Sequence, residues 1–536
     1  MRQALPMSAT GFSAAFLAPP PVAACSCALA RYVKRGTHAT VRQSNNVAIL
    51  TDAPRVTSAR LASARWPARG TWQVAVRVLA PLGALALEGW PALLGAVLVQ
   101  EGGLWLAQRL TSTRHQRFAA NLFLAAYALR FAIVLPTHYF HKLANGNGAL
   151  YRDDYTNDLV GEWLVRIAHG EVPTAIFAGH QYLLSSAYTY LLMGIYTLFG
   201  YAPLLPKLLN VGLAGLCAVL AFEIARRVFS VRVATLTAVG MAVLPSLIVW
   251  SVATLKETLV LFASLVALRV LQFLCDADRR DARTWDVIVV LLGVTVLLLD
   301  LRSSSAYIVI TLLLLLVLGR SRVRLRAWQI GLAGVAVGGL LIGGALVVRE
   351  HASNRPISAA LEDLALQIRH RRAQEASGAT SQLRSETDLP SLEDSPLPSQ
   401  VEAASDTTPF SLSADVIDPL GYALLAPTPW QAQSTQELAA SAEMAVWDVL
   451  LVGSFFAWRA RPRQPMFALG LIAYGVANWL ILAAVEGNVG NLLRHRLMLD
   501  PVLLMLGLAG LEWIWFRLRT ELPAQERHYP QDEGGP

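Results

Sequence analysis

Apolar runs of similar length recur along most of this chain, separated by short polar segments. A helix needs about 20 mostly apolar residues to cross the hydrocarbon core of a bilayer. Runs of this kind, several extended by their flanks, occupy Phe118–Tyr139, Pro203–Ala225, Val233–Trp250, Thr258–Leu274, Trp285–Leu299, Ala306–Leu318, Ala327–Val348, Ala442–Ala457, Met466–Val485 and Leu497–Phe516. Trp72–Leu110 adds one or two more, interrupted by Glu88, Pro91 and Glu101. The pattern predicts an all-α, polytopic membrane bundle of about 10–12 transmembrane helices.

The polar segments between the runs give the bundle a direction. With the runs numbered from Phe118 and Arg114 and Arg117 placed in the cytoplasm, the other basic clusters can be assigned in turn. Arg226/Arg227, Arg279/Arg280/Arg283, Arg320/Arg322/Arg324/Arg326, Arg459/Arg461/Arg463 and Arg517/Arg519 all fall on the same side. That is the positive-inside arrangement. It holds only if the apolar stretch Tyr182–Phe199 does not cross. This stretch is therefore read as a re-entrant or interfacial helix on the outer face, where Tyr182, Tyr188, Tyr190, Tyr196 and Phe199 suit the membrane boundary.

Composition narrows the class further. Of 536 residues, 54% are hydrophobic and 15% charged, against about 25% charged in soluble domains. This excludes a soluble enzyme and a disordered chain. Cys25, Cys27, Cys217 and Cys275 contain no CxxC pair and form neither a disulfide framework nor a thiolate metal site. The net charge of +8 does not mean nucleic acid, because no nucleic-acid-binding motif accompanies it. Residues 1–69 hold nine basic residues and one acid, a net +8 in a segment rich in Ala, Ser, Thr and Arg. An organellar transit peptide, a disordered extension and a misplaced start all read alike there. Residues 350–441 carry thirteen acids and five arginines, with many Pro, Ser and Thr, and read as a loosely ordered outer loop. The organisation is thus a basic extension (1–71), a membrane module (72–348) with an outer loop (141–202), an acidic loop (349–441), C-terminal membrane helices (442–520) and a polar tail (521–536).

The remaining polar residues fall on the outer side: Arg152–Asp158, Lys207, Lys256-Glu257, Asp300 and Arg302, and Glu486–Arg496. Ionisable groups at a membrane boundary, away from the positive side, are functional candidates. Asp153 and Asp154 are adjacent acids; they either serve a cation or proton transfer, or cap a helix N-terminus. Asp158 could share a helix face with Asp154, although a solvated position is the plainer reading. Lys256-Glu257 reads equally as a surface ion pair, and Arg302 after Asp300 reads more plainly as a structural cap or pair. Glu171 and His180 read as loop residues. Arg494 and Arg496 stand on the side that disfavours arginine and ask for an anionic partner, most simply a phosphate.

These residues resemble the GT-C superfamily of integral-membrane glycosyltransferases, and within it glycosyltransferase family 39, which includes protein O-mannosyltransferases and lipid A aminoarabinose transferases. The resemblance covers roughly Phe118–Leu318 and Asn488–Leu511. It rests on the acid pair Asp153-Asp154 after a first span and on the phrase from Leu198 to Asn210 that ends a juxtamembrane helix. Two further helices then reach Arg226-Arg227 and Leu255-Lys256-Glu257, and Arg494–Pro501 leads into a late helix. The chain departs from the family in having Asp-Asp for Asp-Glu, Gly179-His180-Gln181-Tyr182 without proline, and Lys207 for an arginine. It looks like a divergent bacterial member.

The resemblance implies a GT-C-like fold and inverting transfer of a sugar from a polyprenyl-phosphate donor to a protein, lipid or polysaccharide acceptor at the outer face. It implies Asp153 or Asp154 as base, Glu257 as a second acid, and Arg494, Arg496 and Arg302 on the phosphate, with Lys207 or Lys256 assisting. Acids without His or Cys favour Mg or Mn as any divalent cation. The acidic loop would cover the site, with Pro427-Thr428-Pro429-Trp430 against the acceptor. A lipid or sugar transporter or flippase is the rival class, although the chain has no inverted repeat and its charges gather at one face. A non-catalytic envelope-assembly subunit is the third.

Overall fold

The computed structural model describes residues 71–173, 186–275, 284–320, 418–430, 432, 435–486 and 489–521, and within them every regular element is a helix. The basic extension, most of the acidic loop, the expected span Ala327–Val348, His180 and the C-terminal tail lie outside the described residues.

The first element, α1 (Thr71–Leu110), leaves helical geometry at Glu88 and Gly89, where Gly89 takes a φ of 76° that only glycine adopts freely. Arg77 and Glu101, 24 residues apart, hydrogen-bond through their side chains. The two arms of α1 are therefore antiparallel, folded back at Glu88. Ala80, Ala84, Ala92 and Ala96 are buried there and let the backbones approach. Helix α2 (Gln116–Asn145) packs on both α1 and α5 (Leu204–Val228). Helix α5 is apolar on nearly every face and buried along most of its length, which makes it the centre of the bundle. Between α2 and α5 lie the amphipathic α3 (Arg152–Ala168) and α4 (Ala187–Phe199), packed on each other. At 13 residues α4 is too short to cross.

The next span is bent by 51° between α6 (Val231–Val243) and α7 (Pro245–Ser251). Pro245 lacks an N–H, so the last carbonyls of α6 lose their helical donors. The buried Arg130 of α2 replaces them, donating to the carbonyls of Met241 and Ala242 at 2.9 Å each and to the Ser251 hydroxyl at 2.9 Å. Helices α8 (Glu257–Cys275), α9 (Thr284–Leu301) and α10 (Ser303–Arg320) follow. Only Arg302 separates α9 from α10. It lies beside Glu486 at the end of α13 (Pro465–Val485), and α10 packs along α13 and α8, so the chain reverses at Arg302.

The remainder comprises α11 (Asp418–Leu425), α12 (Thr435–Phe456), the short α14 (Val489–His495) and α15 (Asp500–Glu521). A Cβ on Gly510 would stand 1.8 Å from the Gly453 carbonyl oxygen, so α12 and α15 touch backbone to backbone.

Eight segments among the described residues are long and apolar enough to cross a membrane, or nine with the bent pair counted as one. This is fewer than the expected helices because Thr71–Leu110 and Asp286–Leu316 each hold two folded-back arms and the expected span Ala327–Val348 lies outside the described residues. The protein is thus a polytopic helical bundle with two unlike ends. At one end, Arg463 donates to the carbonyls of Val228 and Arg226, and Gln272 reaches Ile224 and Gln464, drawing the arginine-rich helix ends together. The acids and cations expected to be functional lie at the other end.

Candidate active site at one end of the bundle

Asp153 and Asp154 sit in the first turn of α3, about 100° apart around its axis. That angle sends them into different surroundings. Asp154 is fully buried and accepts from the backbone N–H of Thr254 at 2.9 Å and of Leu150 at 2.8 Å. It does not cap its own helix; it ties the start of α3 to the loop before α8. The Lys207 ammonium, also buried, stands 3.5 Å away and donates to the Gly148 carbonyl. Behind Lys207, at 3.5 Å, is His138, whose other ring nitrogen meets Glu88 at 2.9 Å; Glu88 in turn accepts from Leu204 N–H. Gly148 has a φ of 77° and lies so close to His138 that no side chain fits.

Asp158 is also buried, which corrects its reading as a solvated position. It accepts from the phenols of Tyr196 and Tyr201 and from the Asn147 amide. Burial pushes its pKa up to about 6, although both tyrosines favour the charged form. The same burial, with the nearby Asp158 charge, pushes the Tyr201 phenol up. Asp158 thereby clamps α3 onto α4. The loop before α8 is fixed as firmly, since Asn210 donates to the carbonyls of Ala253 and Leu255 and Asn157 to that of Thr254.

Asp153 faces outward, with its side chain 59% exposed. It forms the open end of a chain of ionisable groups drawn from five elements. Arg494 of α14 donates to Asp153 at 2.6 Å, and its Nε lies 3.1 Å from Oε1 of the buried Glu257. His495 Nε2 is 3.9 Å from the same oxygen, and His495 Nδ1 hydrogen-bonds Glu486. Arg302 lies 4.0 Å from Glu486. Burial works against the Arg494 charge, but Glu257, Asp153 and Glu486 outweigh it and hold its pKa above the ordinary value.

Three successive basic residues, two at the end of α14 and the third opening the 3-10 turn Arg496–Met498, fan out in three directions. Arg494 faces the acids, His495 faces Glu486, and Arg496 turns away. Arg496 is buried and donates to the carbonyls of Ala423 and Tyr422, fixing α11 to the bundle. Burial lowers its pKa to about 10.

The structure therefore brings Asp153, Arg494, Glu257 and Arg302 into one cluster and places Asp154 with Lys207 beside it. Arg496 stands apart on backbone carbonyls. The Lys256 side chain is half-buried and has no side-chain partner among the described residues. Asp300 accepts from the backbone N–H of Ala187 and so caps α4, while Glu171 lies on the surface near Arg166 and His169. Trp430 is exposed beyond α11. Glu88, His138, Asn210 and the roles of Glu486 and His495 had no distinguishing signal in the sequence, because each depends on a partner remote along the chain. Among the described residues, no three His, Cys, Asp or Glu side chains converge to hold a metal ion; the carboxylates face guanidinium and ammonium groups instead.

No protein-family model matches the chain, and a search of curated proteins returns no match. The architecture defines a multi-pass helical membrane protein with a charged cluster at one end.

Proposed function

We propose that the protein is a GT-C-like membrane glycosyltransferase, related to family 39, that moves a sugar from a polyprenyl-phosphate donor to an acceptor hydroxyl at the outer face of a bacterial inner membrane. The observation that carries the reading is the contact between Asp153, an exposed carboxylate, and Arg494, a guanidinium shared with the buried Glu257. An acid open to an acceptor and a cation placed for a departing phosphate adjoin within one cluster. That cluster lies at the end of the bundle away from the arginine-rich helix ends, which the positive-inside rule assigns to the cytoplasm.

In this reading the acceptor oxygen attacks the anomeric carbon while Asp153 takes its proton. The bond from that carbon to the phosphate oxygen breaks, with inversion, and the electron pair leaves with the lipid phosphate. Arg494 and Arg302 stabilise the growing negative charge, and Lys256 supplies a further cation at the same mouth. Glu257 orients Arg494. Asp154 is saturated by two backbone donors and Lys207 and has no exposed surface, so it positions Asp153 and does not itself take the proton. Lys207 holds Asp154 in the same way, and Arg496 holds α11.

The test is mass spectrometry of envelope glycans in a deletion strain complemented with wild type or Asp153→Asn. Loss of one glycan on deletion, restored by wild type and reduced at least about 100-fold with Asp153→Asn, supports the assignment. Full restoration by Asp153→Asn sinks it. A sugar lipid that accumulates on the cytoplasmic side on deletion indicates the transporter class instead.

A further inference from the structure

His495 has no role in the mechanism above, yet it sits at the centre of the charge chain. Its Nδ1 is hydrogen-bonded to Glu486 and its Nε2 faces Glu257 at 3.9 Å. A neutral imidazole bonded to a carboxylate through Nδ1 carries its proton there and leaves Nε2 as a bare lone pair. Nε2 lies 3.9 Å from Glu257 Oε1, the oxygen beside Arg494 Nε, while Glu257 Oε2 is buried without a hydrogen-bond partner. The charged groups facing the ring come from every neighbouring element: Glu486 from α13, Glu257 from α8, Arg302 from the α9–α10 turn, and Arg494 on its own helix, with Asp153 of α3 beyond. The cluster's three acids, Asp153, Glu257 and Glu486, outnumber its two guanidiniums. Burial, reinforced by Arg302, outweighs the pull of Glu486 and Glu257 and holds the imidazole pKa below its ordinary value.

We infer that His495 is a positioning residue that takes up one proton when a phosphate-bearing substrate enters, so that anion binding at this site is proton-linked. The inference rests on the anion-binding reading above. An arriving phosphate engages Arg494 and Arg302, the guanidiniums that now compensate Glu257 and Glu486. These buried carboxylates then lose compensation, and a buried charge without a partner is costly. A proton from solvent on His495 Nε2 restores the balance, placing a positive charge beside Glu257 while Nδ1–H stays on Glu486. The arginines become available to the phosphate without stranding the acids beneath them.

The experiment is calorimetric titration of the full chain in lipid nanodiscs with a farnesyl-phosphoryl hexose. This is a phosphodiester whose single charge does not titrate near neutral pH. Titrations in buffers of different ionisation enthalpy count the protons exchanged. The expected result is uptake approaching one proton per site near neutral pH, with affinity falling about tenfold per pH unit between the free-site and occupied-site pKa values. His495→Gln and His495→Asn are expected to bind without proton uptake. Binding by wild type without uptake overturns the inference and leaves the anion site standing; this arm needs no variant, so it holds even if the substitutions unfold the protein. Uptake that persists in folded variants also overturns it. No binding at any pH overturns the anion site and this inference together.

Discussion

Adjacent residues of one type have opposite fates here. Asp153 and Asp154 differ by one step along a helix, yet one is open at the rim and the other is sealed against two backbone N–H groups and Lys207. Removing one member of a buried pair strands the other charge, at about 3–5 kcal/mol. Asp154→Asn is therefore expected to lower the unfolding temperature in detergent markedly. Asp154→Asn combined with Lys207→Met should recover much of that loss; a double variant no more stable than the single one would remove the ion pair from the account. Asp158 yields a pH prediction. Its folded pKa of about 6 lies above the ordinary 3.8, so the folded protein keeps a proton that the unfolded chain has lost. Stability contributed by that proton is full below about pH 4 and is lost as pH rises through about 6. Thermal melts between pH 4 and 7 should show this decline, and Asp158→Asn should flatten it.

At the level of elements, the helices owe their positions to a few close approaches and caps. Backbone contact between α12 and α15 requires Gly453, Gly507 and Gly510. Leucine at position 510 would meet Gly453 carbonyl oxygen and the Ala457 backbone, which cannot yield as a flexible side chain would. Overpacking of this kind costs about 1–3 kcal/mol or more. Gly510→Leu should destabilise the protein in detergent melts, whereas leucine at Gly470, which has open space around it, should leave the melt nearly unchanged. The hydrophobic pattern foretold most of these elements, including the break at Arg302, and α4, at 13 residues, is short as the charge pattern required. It did not foretell that Arg130, an arginine inside an apolar run, mends the helix broken by Pro245. That repair joins residues more than 100 positions apart, and no local pattern encodes it.

For the whole molecule, the division into two ends is the feature with functional consequences. If the arginine-rich end faces the cytoplasm, Leu143, exposed near the end of α2, lies outside, and Arg461 lies inside. In a cysteine-free background, Leu143→Cys should react with an impermeant maleimide added to intact cells. Arg461→Cys should react only after the membrane is permeabilised. The reverse labelling would place the charged cluster in the cytoplasm and remove the outer-face donor from the proposed reaction.

The sequence by itself determined the membrane class and most helix positions. These follow from apolar length and charge along the chain, which a bilayer reads locally. It also singled out the stretches that meet in the charged cluster: Asp153-Asp154, Glu257, Arg302 and Arg494. Only the tertiary structure decided which member of each stretch faces which partner. A helix turns by about 100° per residue, and the chain passes from α14 into a 3-10 turn at Arg496, so Arg494, His495 and Arg496 are similar as sequence and meet three different environments once packed. The separation of Asp153 from Asp154, the withdrawal of Arg496 to backbone carbonyls and the central place of His495 all arise from that rotation combined with long-range packing.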